Sequence, residues 1–156
     1  VTKFLLAVHV IAAILAIGPV TVAASMFPPA ARRAMASPDD PRAAETVRLL
    51  HRICRVYATV GVVVPVFGFA TASSMGVLGD AWLIVSIALT ALAALVLVAL
   101  VLPRQSALLE MGGSGVAGDG SREATVRLAM FTGIFNVLWA VVTVLMIVRP
   151  GSTTGA

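Results

Sequence analysis

Residues 82–102 read WLIVSIALTALAALVLVALVL, without one Gly, Pro, Asp, Glu, Lys or Arg. At 1.5 Å of rise per residue this stretch makes a helix roughly 31 Å long, enough to cross the hydrocarbon core of a bilayer. Three further runs have the same character: 4–27, 56–78 and 128–148 also lack Asp, Glu, Lys and Arg. The expected fold is therefore all-α, a membrane-embedded antiparallel bundle of four transmembrane helices. The polar segments 28–55 and 103–127 are too short and too poor in apolar residues to bury cores of their own. One integral membrane domain, 1–156, is expected. The composition agrees, with 60% hydrophobic residues and a mean hydropathy of +1.04.

The missing charges narrow the function. An ionisable side chain at bilayer depth costs roughly 2.5–3.5 kcal/mol even on the lenient insertion scale, so it persists where chemistry needs it. The four runs offer no carboxylate, ammonium or guanidinium to a proton, ion or substrate, which argues against a pump, a coupled transporter or a selective channel. The net charge of +4 flanks the spans, and so points to topology and anionic lipid headgroups rather than to nucleic acid or a soluble substrate.

Basic residues set the orientation. Segments 28–55 and 103–127 hold Arg32, Arg33, Arg42, Arg48, Arg52, Arg55, Arg104, Arg122 and Arg127, whereas the other side keeps Lys3 and Arg149. The positive-inside rule then places both segments in the cytoplasm and both termini outside. The short Gly79-Asp80-Ala81 link makes the second and third helices antiparallel neighbours. The first run resembles a signal peptide in having Lys3 ahead of it, but it far exceeds a 7–15-residue h-region, so we read it as a retained helix.

Pro28-Pro29 is expected to end the first helix. Asp40-Pro41 reads as the N-cap and first-turn pair of a second helix that starts below the membrane. On that extension Arg48, Arg52 and Arg55 fall at i, i+4 and i+7, a basic stripe facing lipid phosphates or acidic groups of a partner. Gly18-Pro19 and Pro65 should kink their helices, freeing the carbonyls of Leu15 and Gly61. Residues 112–121 read as a flexible linker, with Ser121 able to cap the fourth helix. Thr46-Val47-Arg48-Leu49 recurs as Thr125-Val126-Arg127-Leu128, which suggests two related hairpins.

Polar and small residues inside the runs are spaced in fours: Gly68, Ala72 and Gly76; Ser86, Thr90 and Ala94; Thr132, Asn136 and Ala140. Such stripes let helices approach closely and hydrogen-bond, with one another or with a partner protein. His9 is the one imidazole in the runs and is read as an interhelical polar contact. His51 lies near the opposite end of the membrane, so the two cannot share a metal or haem. Cys54, the single cysteine, excludes an internal disulfide or a multi-thiolate site. No cofactor, metal site or catalytic residue is expected.

The opening stretch, Lys3-Phe4-Leu5-Leu6-Ala7-Val8-His9-Val10 through Gly18 to Arg32-Arg33, resembles a bacterial family described as predicted integral membrane proteins. It is also loosely similar to copper-resistance membrane proteins, which share a histidine early in a helix followed by a glycine. Heavy use of Ala and Val, with ten Arg to one Lys, resembles proteins of GC-rich bacteria. A small Ala/Val-rich chain of this type resembles accessory subunits of the actinobacterial cytochrome bc–cytochrome oxidase supercomplex. That resemblance implies a non-catalytic subunit of a larger complex in the bacterial inner membrane. The alternatives are a small transporter, or a haem, copper or quinone binder using His9 with ligands from a partner.

Overall fold

The computed structural model describes residues 1–113 and 118–152. Helices α1 (Thr2–Ala36), α2 (Pro41–Val60), α3 (Val63–Met75) and α4 (Ala81–Leu95) are followed by a π-helical segment, Val96–Val101. Then come α5 (Leu102–Gly113) and α6 (Asp119–Val148). The second long helix is α2 with α3, and the third is α4 with the π segment and α5. All four long helices are apolar enough to cross a membrane, and no strand occurs among the described residues. Residues 114–117 of the expected linker lie outside the described set.

The helices run well past the apolar runs. Pro28-Pro29 does not end α1, which continues to Ala36. Proline's φ suits a helix; its cost is the missing N–H and a clash with the preceding turn. Here Phe27, Pro28 and Ala31 are buried, and that packing outweighs the penalty. Segment 28–55 is consequently helical apart from Ser37, Pro38, Asp39 and Asp40. Asp40 caps α2 as its spacing predicts, its Oδ1 accepting from the Arg42 N–H at 3.0 Å with Pro41 at the first helical position. Ser121 does not cap α6. The helix has already begun at Asp119, and the Ser121 hydroxyl donates back to the Gly118 carbonyl.

Two prolines shape the second and third helices. Pro65 has no N–H for the Gly61 carbonyl, and the helix breaks at Gly61-Val62. That carbonyl instead accepts from the Val64 N–H at 3.1 Å. Pro103 likewise has none for the Ala99 carbonyl, and just before it the winding loosens: the Leu102 N–H reaches back five residues to the Leu97 carbonyl. A π turn is the helix's way of absorbing one extra residue.

Helix α1 is the hub, packing on α2, α3 and α6, while α6 packs on α4 and the π segment. Phe27, Val101, Leu128 and Phe135 fill the common core, with the Phe135 and Trp139 rings edge-on at 6.3 Å. The second and third helices are neighbours at their ends rather than along their lengths. At the arginine-rich end α2 meets α5. At the other end Ala72 joins Trp82 and Leu83, but α3 and α4 scarcely touch between. The short link brings their tips together, yet α3 leans on α1, where Gly68 admits the His9 ring.

That second end is closed by polar contacts. The Trp82 indole N–H donates to Asp80 Oδ2 at 3.0 Å. Arg149, left-handed at φ 47 where α6 stops, holds its guanidinium 5.7 Å from the Trp82 ring. The sequence echo is not matched in burial. Val47 is buried where Val126 is exposed, and Thr46 and Leu49 are exposed where Thr125 and Leu128 are buried.

Candidate functional site

On α2, Val47, Leu50, His51 and Cys54 are buried, an i, i+3, i+4, i+7 set that turns one face to the bundle. Arg48, Arg52 and Arg55 occupy the exposed face beside it. Across from His51, α5 presents Gln105, which has no solvent-accessible surface. The His51 Nδ1–H donates to Gln105 Oε1 at 2.9 Å, and the Gln105 amide N–H donates to Cys54 Sγ at 3.5 Å. The Ser106 hydroxyl lies 3.3 Å from His51 Nε2 and 3.2 Å from the Leu102 carbonyl, so its one proton serves two acceptors. This cluster ties α2 to α5. Sequence reading missed it, because Gln105 falls inside an expected loop. The buried-face spacing at 47, 50, 51 and 54 was the available signal.

Beside the cluster an open groove of about 310 Å³ is lined by His51, Arg52, Arg55, Val56 and Thr59. Neither arginine has an ion-pair partner among the described residues, where the single ion pair is the exposed Arg127–Glu123 contact. The Thr59 hydroxyl donates to the Arg55 carbonyl. Toward α6, Arg104 is engaged: it donates to the Leu100 carbonyl at 3.0 Å and lies 4.3 Å over the Phe131 ring.

At the opposite end the His9 Nδ1–H donates to the Val64 carbonyl at 2.9 Å. A carbonyl can only accept, so Nδ1 carries the proton. A Cβ at Gly68 would lie 2.8 Å from His9 Cε1. Any side chain at 68 would push this ring from its place.

The small-residue stripes divide. Gly68 holds His9, and Ala72 packs with Trp82 and Leu83. Gly76 closes α3 in the left-handed conformation, φ 71. Ser86 is buried and donates to the Trp82 carbonyl at 2.8 Å, Thr90 is half-buried, and Ala94 and Ala140 are exposed. Asn136 donates to Ser25 Oγ at 3.0 Å. Among the described residues three buried atoms along α6 find no hydrogen-bond partner: Thr132 Oγ1, Asn136 Oδ1 and Trp139 Nε1.

An unpartnered buried hydroxyl costs about 1–3 kcal/mol. Thr132→Val, nearly isosteric, should therefore leave thermal stability in detergent unchanged or raise it. A drop in melting temperature would mean that the hydroxyl has a partner in the membrane.

Among the described residues no three His, Cys, Asp or Glu side chains are grouped to hold a metal ion. A family model described as "Predicted integral membrane protein (DUF2269)" matches residues 3–150. No curated protein matches the chain. No solved structure matches it either.

Proposed function

The chain belongs to this family of predicted integral membrane proteins, and on that premise we propose that it is a non-catalytic accessory subunit of a larger bacterial inner-membrane complex. One observation carries the reading. The single imidazole in the four apolar runs is spent on architecture, its Nδ1–H given to the Val64 carbonyl and its ring seated on Gly68. The Ser86 hydroxyl and the Asn136 amide N–H are likewise bonded within the chain. Polar groups that served a substrate or a proton path would instead converge on a shared cavity.

The partner is another set of membrane subunits, and no cofactor is held by this chain itself. The exposed small residues Ala94 and Ala140, with Thr90 half-exposed, support close approach of a foreign helix. The respiratory cytochrome bc–cytochrome oxidase assembly is the first complex to test. Mild detergent extraction, native electrophoresis and mass spectrometry should find the chain co-migrating with a fixed set of larger subunits. A chain that runs free, and that moves an ion or solute in liposomes faster than protein-free vesicles, would overturn the proposal.

The proposed orientation puts the arginine-rich end in the cytoplasm and both termini outside. Ser37→Cys lies in the exposed α1–α2 turn and Ser152→Cys near the C-terminus, while native Cys54 is fully buried. An impermeant thiol reagent added to spheroplasts should label the second and not the first. The reverse pattern would invert the topology.

A further inference from the structure

We propose that the groove lined by His51, Arg52, Arg55, Val56 and Thr59 is a binding site for the phosphodiester headgroup of an anionic phospholipid. Four observations converge on it. The first is charge: Arg52 and Arg55 both line the groove without a carboxylate partner among the described residues. Guanidinium forks match phosphate oxygens in bidentate fashion, and such charge-assisted bonds are among the strongest available to a side chain.

The second is depth. Arg55 is the last charged residue before the uncharged run 56–78, so the groove sits where headgroup phosphates give way to acyl chains. The third is continuity with apolar surface. Val56 lines the groove, and Val60, one turn further along, is 45% exposed. An acyl chain can follow that track, whereas a free phosphate or an acidic peptide gains nothing from it. The fourth is rigidity. His51 forms one wall, and its ring is fixed from behind by Gln105 and lies near Ser106.

The stripe itself provides a control. Arg48 belongs to the same basic face but does not line the groove. General attraction to a negative leaflet depends on all three arginines about equally, whereas a built site depends on two.

Native mass spectrometry of the full chain, released from neutral detergent with phosphatidylglycerol or phosphatidylcholine added, reads the occupancy directly. Phosphatidylglycerol adducts should survive and excess inorganic phosphate should not displace them. Arg52→Gln with Arg55→Gln should lower occupancy about tenfold or more, while Arg48→Gln should stay within about twofold. The pair Arg52→Lys and Arg55→Lys keeps charge without the fork and should fall between, which separates lost recognition from lost folding; circular dichroism checks the fold. Equal retention of the two lipids, or equal loss with Arg48→Gln, would overturn the site. So would displacement by inorganic phosphate, or occupation of the groove by a co-purifying acidic protein in place of lipid.

Discussion

Gly68→Leu is expected to destabilise the bundle by about 2–4 kcal/mol. Its Cβ would meet the His9 ring at 2.8 Å, forcing the ring away and breaking the bond to the Val64 carbonyl. An orphaned buried group costs about 1–3 kcal/mol and overpacking a similar amount, against a gain of about 1 kcal/mol from replacing a helical glycine. The decisive comparison is the His9→Ala background, where the leucine can take the space the imidazole left. There the same substitution should be close to neutral. Thermal unfolding in detergent measures both, and an equal loss in the two backgrounds would show that Gly68 is needed for some reason other than His9.

Gln105→Leu should cost about 2–3 kcal/mol at the other end of the molecule, because it leaves the buried His51 Nδ1–H without its acceptor. The amide also donates to Cys54 Sγ, so the α2–α5 junction should open locally and let a thiol reagent reach a cysteine that is otherwise fully buried. Pairing it with His51→Phe removes both halves of the bond and should recover part of the loss, since an apolar pair leaves nothing unsatisfied. Strict additivity of the two substitutions would mean that the 2.9 Å contact carries no energy.

Four helices were legible because bilayer thickness imposes a length on any charge-free run, a constraint local to each segment. The Asp40-Pro41 start was legible for the same reason: a cap and a first-turn proline act within a few residues. The continuation of α1 through Pro28-Pro29 was not, because it depends on what Phe27 and Ala31 meet from other helices. The same holds for the cluster at His51. Gln105 reads as loop until the third helix is known to extend beyond residue 102 and to be wound so that position 105 faces α2. His9 was recognisable as an interhelical group, but its acceptor is a backbone carbonyl, which no side-chain pattern announces. Gly68 and Gly76 looked alike in a spacing of four. One answers to a neighbouring ring and the other to a positive φ, and those demands become distinct only in three dimensions.

The π segment makes the third helix sensitive to insertions and deletions in a lopsided way. An α-helix advances about 100° per residue, so losing one residue from α4 would swing Gln105 a quarter-turn or more off His51. Losing one from Val96–Val101 would convert the wide turn to ordinary winding and leave both flanks in phase. Single-residue deletions in this helix should therefore be tolerated in that one window, and a deletion scan would find the reading of the face preserved there and lost on either side.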